Sequence, residues 1–153
     1  MTALPRHRTA TAAAFLLGSV VGLHNVPVAA QSPRIPPSDV TRPTGTTAFV
    51  APVDKLGAIG TARHGDTSLS PQGLSCNSCH AEADSYNATF KKPWPHFVES
   101  VKTKTGLDAI TAEGMVQFCM ISAMGGRPLA WDSEALAGLT AFVLERHEKV
   151  VER

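Results

Sequence analysis

The sequence predicts an all-α fold, because several segments place apolar residues at helical spacing and none alternates as a strand does. The clearest pattern is the last along the chain, which begins with a polar cap at Asp132 or Ser133. Its apolar stripe consists of Leu136, Leu139, Phe142, Val143 and Val150. Another helix begins after Thr111, whose hydroxyl can cap its first amides. One face of that helix carries Met115, Phe118, Cys119 and Ser122.

Two shorter helices are predicted upstream of these. The first covers residues 53–62 and contains Gly57 and Gly60. These glycines either allow close packing against another helix or leave the helix poorly formed. The second covers residues 97–106, after the break that the prolines of residues 93–95 impose. We expect the four helices to pack into one small domain, since no other regular element competes with them.

Residues 1–30 are predicted to be a secretory signal rather than part of the fold. Residues 6–8 form a basic start, residues 9–23 form an apolar run, and residues 28–30 offer small side chains for cleavage. The run is shorter than the about 20 apolar residues that a membrane span needs, so we expect no stable span. An uncleaved anchor is the alternative. Export across the inner membrane predicts a periplasmic protein.

The next segment, residues 31–52, has five prolines among Ser and Thr and few large apolar residues. This composition predicts an extended linker or a strap over the surface. Residues 53–153 would then form the folded domain. Because Arg6 and Arg8 leave with the signal, 12 of the 14 Lys and Arg residues remain against 13 Asp and Glu. Such a nearly neutral domain argues against a nucleic-acid partner.

Two cysteines three positions apart are followed directly by a histidine in the segment Cys76-Asn77-Ser78-Cys79-His80. This is the attachment pattern of c-type haem. One tight turn brings both thiols to the two vinyl groups of a porphyrin and leaves His80 as the proximal iron ligand. A cysteine pair alone would also fit zinc or a redox disulfide, but the adjacent histidine and the export signal favour haem. We therefore expect one covalently attached haem c.

His80 leaves one axial position of the iron for a second ligand. The candidates are Cys119, Met120, Met124, Met115, His96 and an open site. A methionine thioether raises the reduction potential of a haem, whereas an anionic thiolate lowers it. Met124 precedes two glycines in a loop before the last helix, where small cytochromes often place their methionine. Spacing alone does not choose between Cys119 and Met124, and we expect the other three side chains to be packing or surface residues.

The segment Phe118-Cys119-Met120-Ile121-Ser122-Ala123-Met124-Gly125-Gly126-Arg127-Pro128-Leu129 resembles the distal-ligand region of the cytochromes of bacterial sulfur oxidation. It is similar to haem domains of diheme thiosulfate dehydrogenase and of the A subunit of the Sox cytochrome pair. The resemblance covers about residues 75–143, and Trp94-Pro95 matches an aromatic-Pro element between the two motifs. It implies a class I cytochrome c domain with Cys119 as the distal ligand. Met124 stays the alternative because of its place in the loop before the last helix, and the single motif predicts one haem.

The chain departs from this family in two respects. The family's enzymes are commonly diheme, whereas this sequence has one haem motif. They also carry an arginine about one helical turn before the ligand cysteine, and Met115 stands at that position. Arg127 and Lys104 either supply the positive charge that an anionic sulfur substrate needs or are solvated surface residues.

These observations are compatible with three functions. The first is an electron carrier that exchanges single electrons with another cytochrome or an oxidase. The second is the catalytic haem subunit of a thiosulfate-oxidising enzyme, completed by a diheme partner, and the third is a haem-based gas sensor. Cys119 has no partner for an intramolecular disulfide, which favours a link to sulfur chemistry. We expect a periplasmic monohaem c-type cytochrome that transfers single electrons, linked to oxidation of inorganic sulfur compounds, rather than a stand-alone enzyme.

Overall fold

The computed structural model describes residues 34–81, 86 and 88–152 of the chain. Its helices are α1 (Val53–His64), α2 (Asn77–His80), α3 (Glu99–Thr105), α4 (Ala112–Ser122) and α5 (Glu134–Val151). Short 3-10 turns cover Pro37–Asp39, Thr67–Leu69 and Ala88–Lys91. Within these residues no strand forms, and the one isolated bridge joins His96 to Ile110. The predicted all-α class is therefore confirmed.

The predicted secretory signal, residues 1–30, lies outside the described residues. Across the part of the chain that the structure describes, no helix combines the length and the apolar character that crossing a membrane requires.

Side-chain caps begin α4 and α5. Thr111 Oγ1 accepts a hydrogen bond of 3.0 Å from the N–H of Gly114, as the sequence predicts. Ser133 Oγ accepts one of 3.3 Å from the N–H of Leu136, so Ser133 rather than Asp132 is the cap of α5. Each cap satisfies an amide that no helical carbonyl can reach, which is worth about 1 kcal/mol.

The other helices differ from the predicted ones at their ends. Helix α1 continues to His64, two residues further than predicted. Helix α3 begins at Glu99 because Val98 has an extended backbone, so Phe97 lies outside the helix. Helix α2 was not predicted, because its four residues are too few to display helical periodicity.

Helices α1 and α5 approach each other closely at two glycines. A Cβ on Gly60 would overlap the carbonyl oxygen of Gly138 and lie 2.8 Å from Phe142 Cβ. A Cβ on Gly138 would lie 2.5 Å from Ile59 Cγ2. Of the two interpretations that the sequence left open, close packing therefore applies to Gly60. Gly57 has no atom within 4 Å of a Cβ placed on it, and so it does not serve this contact.

The described part of the Pro-rich segment, residues 34–52, packs against the helices. The N–H of Ile35 donates a 3.0 Å hydrogen bond to the carbonyl of Lys104, beside the end of α3. Ile35 and Val40 are both buried. Arg42 forms an ion pair with Glu113 in the first turn of α4. The segment is thus a strap that contributes two side chains to the core.

The buried apolar residues form two clusters. The first cluster contains Ile35, Val40, Val98, Val101, Ile110 and Phe118. Trp94 and Cys119 pack against this first cluster. The second cluster contains Val116, Leu136 and Leu139, with Cys76 and Val143 packed against it. Because Val116 and Phe118 are both on α4, this helix links the two clusters.

Replacement of Gly60 by Ala is expected to lower the free energy of unfolding by about 1–3 kcal/mol, because the new methyl group overlaps the backbone of α5. Gly57→Ala in the same helix is the matched control. It meets no atom and is expected to stabilise the protein by about 0.5–1 kcal/mol, since alanine costs less backbone entropy in a helix. Urea unfolding of both variants measures the difference. Equal effects would contradict a close α1–α5 contact.

Candidate haem site

The residues of the haem motif lie on a single helical turn. Cys76 is the N-cap of α2, and its carbonyl accepts hydrogen bonds from the N–H groups of Cys79 and His80 at 3.2 and 2.9 Å. Ser78 Oγ accepts a 3.0 Å hydrogen bond from the N–H of Ser75, which ties the preceding residue to the same turn. The side chains of Cys76, Cys79 and His80 therefore face one side, where they line a common cavity.

This cavity has a volume of about 280 Å³ and a predominantly apolar wall. The motif residues border it together with residues of both core clusters, including Phe118 of the first and Leu139 of the second. Cys119 and Met124 border the same cavity. The structure therefore brings together all five side chains that the sequence analysis selected, although their ligand roles follow from the sequence and not from these contacts.

Cys119 and Met124 lie at the C-terminal end of α4. The N–H of Met124 donates a 3.0 Å hydrogen bond to the carbonyl of Cys119, so the two residues belong to the same terminal turn. Ser70 Oγ donates a 2.6 Å hydrogen bond to the carbonyl of Met124 and holds this turn against the segment before the haem motif. Met124 is buried, whereas Cys119 is half-buried. Both sulfur atoms thus belong to a well-fixed part of the fold.

The remaining candidates also border the cavity. Met115, Met120 and His96 contribute to its wall. Met120 is almost fully buried, and His96 is 7% exposed and pairs with Ile110 across the isolated bridge. Both are therefore packed side chains, and the expectation that neither is an iron ligand stays a prediction.

Burial raises the pKa of the Cys119 thiol to about 11, and the nearby Cys76 and Cys79 add to the rise. Burial also raises the pKa of the Cys76 thiol. Both thiols are therefore neutral at pH 7 in the protein chain alone. A thiolate at Cys119 needs a compensating positive charge, and ferric iron is a source of such charge.

The residues around the cavity fit haem c better than a bare metal ion. A structural zinc site needs four ligands, and within the described residues no three His, Cys, Asp or Glu side chains are placed so that they could hold a metal ion by themselves. Trp94 Nε1 is buried at the cavity wall with no hydrogen-bond partner among the described atoms. Buried donors are rarely left unpaired, so this N–H offers a hydrogen bond to a polar group of a bound molecule. A haem has a porphyrin for the apolar cavity, an iron for the candidate ligands and carboxylates that can accept the hydrogen bond of Trp94 Nε1.

A comparison with protein-family models gives a match to the SoxA/TsdA cytochrome c domain over residues 66–149. This chain belongs to the SoxA/TsdA cytochrome c domain family. The matched region includes the haem motif and both candidate distal ligands, and it confirms the resemblance to sulfur-oxidation cytochromes. Neither a curated protein nor a solved structure matches the chain. Membership implies covalently bound haem c, redox partners and a link to sulfur oxidation.

In this SoxA/TsdA domain, Gln117 holds the loop that follows Met124. Its side chain is fully buried and makes two hydrogen bonds of 2.8 Å with the backbone of Leu129, one to each polar group. A buried glutamine is stable only when such bonds are made. The sequence analysis missed this residue. The available signal was a polar residue between Val116 and Phe118, in the middle of an otherwise apolar run from Met115 to Ile121.

His64, at the end of α1, is a second residue of the cavity wall that the sequence analysis missed. It is 8% exposed, and its ring lies 4.4 Å from the ring of Phe142. Burial lowers the pKa of His64, and the positive charges of Arg146 and His80 lower it further. His64 is therefore neutral at pH 7. No sequence pattern indicates it, because its position depends on the crossing of α1 and α5.

A row of aromatic rings follows the cavity wall beyond the haem motif. The ring of Tyr86 stacks on that of His80 at 4.6 Å and on that of Phe90 at 4.1 Å. Phe90 in turn meets the edge of Trp94 at 6.2 Å. These rings form an aromatic part of the cavity wall.

Replacement of Cys76 or Cys79 by Ser is expected to impair covalent attachment, because each thiol forms one thioether. His80→Ala is expected to keep attachment but to lose the normal axial ligation. Haem staining after denaturing electrophoresis measures attachment, and the optical spectrum measures ligation. Cys119→Ser is the control with one cysteine fewer and attachment unchanged. Normal holoprotein from the Cys76 or Cys79 variant would contradict this assignment.

Proposed function

We propose that this chain is a periplasmic cytochrome that carries one haem c and transfers single electrons during oxidation of inorganic sulfur compounds. Cys76 and Cys79 would tether the haem, and His80 and Cys119 would be its axial ligands, with Met124 as the alternative distal ligand. The observation that carries the proposal is the shared cavity, which has the motif turn and both sulfur candidates in its wall. One haem motif in the sequence supports a single haem, and the predicted signal supports export.

When bound, haem c supplies one-electron chemistry at its iron. The residues of the chain have a different task, which is to hold that group and to set its surroundings. Apolar residues of both core clusters line the cavity. An apolar site disfavours net charge on the haem and so affects its reduction potential. The identity of the distal sulfur ligand affects that potential as well. Cys119 as distal ligand would give the haem a low reduction potential, and Met124 would give it a higher one. The identity of the distal ligand therefore decides which redox partners can donate electrons to the haem.

The charges near Cys119 favour an electron carrier over a catalyst. Among the described residues that line the cavity there is no lysine or arginine. Lys104 Nζ lies 5.9 Å from the ring centre of Phe118, outside the cavity wall, and Arg127 is exposed. Met115, which occupies the position of the family's arginine, adds an apolar surface instead. An inorganic sulfur anion would thus find no positive side chain in the cavity to compensate its charge.

The second candidate function is the catalytic haem subunit of a thiosulfate-oxidising enzyme. The observation in its favour is the Cys119 thiol, which borders the same cavity as the haem motif. Under this hypothesis a diheme partner would supply the missing positive charge. The two functions differ in whether a sulfur anion reacts at this chain or only at its partner.

Electron paramagnetic resonance of the ferric protein at low temperature is expected to show a low-spin thiolate signal, because Cys119 is the proposed distal ligand. Cys119→Ala should abolish that signal, whereas the control Met124→Leu should retain it. The outcome that contradicts Cys119 ligation is one histidine–methionine spectrum in both wild type and Cys119→Ala, lost only in Met124→Leu. In that case the protein is a carrier with a buried spare cysteine.

Thiosulfate alone is expected not to reduce the ferric haem catalytically, because the described residues that line the cavity include no lysine or arginine to bind the anion. The measurement is the change in visible absorbance after thiosulfate is added, with and without an electron acceptor. Dithionite serves as the control that the haem can be reduced. Sustained turnover with thiosulfate and an acceptor would refute the carrier and support the enzyme.

A further inference from the structure

The imidazole of His80 is the first member of a stack of three rings. The ring of Tyr86 lies on that of His80, with 4.6 Å between the ring centres and 8° between the planes. The ring of Phe90 lies on that of Tyr86, with 4.1 Å between the centres and 16° between the planes. All three rings border the cavity. The three planes are thus nearly parallel, and we call these residues the ring stack.

The end of the ring stack away from His80 is held by the protein core. Phe90 is buried in the 3-10 turn Ala88–Lys91. Its ring meets those of Trp94 and His147 edge to face, at 6.2 and 5.6 Å between centres. His147 is on α5, so Phe90 is packed by two elements that lie far apart in the sequence. Close packing of this kind restricts the movement of a ring, and the ring stack therefore connects His80 to α5.

Tyr86, the middle member of the ring stack, is half-buried and uncharged at pH 7. Burial raises the pKa of its hydroxyl group, an effect that Arg146 opposes and that Cys76 and Cys119 reinforce. A neutral phenol brings no charge to the neighbouring imidazole. The contact between Tyr86 and His80 is therefore one of ring packing, which constrains the orientation of the two planes.

The backbone of the haem motif fixes the position of His80 but not the plane of its ring. Its N–H donates a 2.9 Å hydrogen bond to the carbonyl of Cys76, which holds the main chain of α2. The side chain can still turn about its own bonds. An imidazole bound to iron through one nitrogen can also turn about that bond. Neighbours of a ligating histidine commonly remove this freedom, and a parallel ring held by the core is suited to do so.

We infer that Tyr86 is a positioning residue that fixes the plane of the His80 imidazole relative to the haem, and that Phe90 holds Tyr86 in place. The inference rests on the proposed function, since it requires His80 to be an axial ligand of a bound haem. Tyr86 acts through His80 and is not itself a ligand. A fixed ring plane keeps the surroundings of the iron alike in its two oxidation states, which suits the transfer of single electrons.

The test is the proton magnetic resonance spectrum of the ferric holoprotein. The unpaired electron shifts the four haem methyl signals by amounts that depend on the plane of the axial imidazole. Tyr86→Leu keeps the position apolar but cannot stack, so the order of the methyl signals should change. Tyr86→Phe keeps a ring that can stack and should retain the wild-type order. A Tyr86→Leu spectrum with the wild-type order would overturn the inference.

Phe118→Leu is the matched control, because Phe118 lines the same cavity but belongs to the first core cluster and not to the ring stack. This variant should keep the wild-type order of the methyl signals. Phe90→Leu should change the order in wild type and should add nothing in a Tyr86→Leu background, because Phe90 acts through Tyr86. The same change of order in Phe118→Leu as in Tyr86→Leu would contradict a specific role of the ring stack.

A second measurement needs no variant and decides the inference even where Tyr86→Leu yields no holoprotein. Tyr86 is the only tyrosine of the chain, so its ring signals can be assigned directly. In the ferrous wild-type holoprotein, nuclear Overhauser effects should connect the ring protons of Tyr86 with those of His80. Their absence would overturn the inference. Absence of covalent haem from all preparations, or of histidine ligation from the optical spectrum, would instead refute the proposed function itself.

Discussion

The crossing of α1 and α5 is the contact on which the haem cavity depends. Gly60 and Gly138 let the two backbones meet without intervening side chains. Because α5 is held at that distance, Phe142 reaches the ring of His64, and Leu139 reaches the cavity wall. The contact between these two glycines thus determines the position of the cavity wall that α5 forms. Any larger residue would push apart the walls as well as the helices.

Helix α4 connects this crossing to the sulfur candidates. Its turns contribute Val116 to one core cluster and Phe118 to the other, so the helix cannot rotate without disturbing both. Cys119 is consequently held at the cavity, and Gln117 fixes the loop beyond it through two backbone hydrogen bonds. These contacts fix the backbone on both sides of Cys119, which would reduce the entropy lost if its sulfur formed the proposed axial bond.

Local chemistry made much of the site predictable from the sequence. The haem motif is contiguous, and helical periodicity alone placed Cys119 on an inward face. His64 and Trp94 were not predicted as members of the site, because each reaches the cavity only through packing between elements distant in sequence. The preference for Cys119 over Met124 came from family resemblance, and the cavity contains both. Periodicity determines which face is buried, but not which of two adjacent sulfurs an iron binds.

The strap would link the predicted export signal to the folding of the domain. Ile35 is a core residue that also bonds to Lys104, and the expected cleavage after Ala30 leaves only four residues before it. A signal peptidase that cut a few positions further on would remove part of the hydrophobic core together with the leader. If the predicted signal is cleaved after Ala30, the processing site and the stability of the domain are under a common constraint.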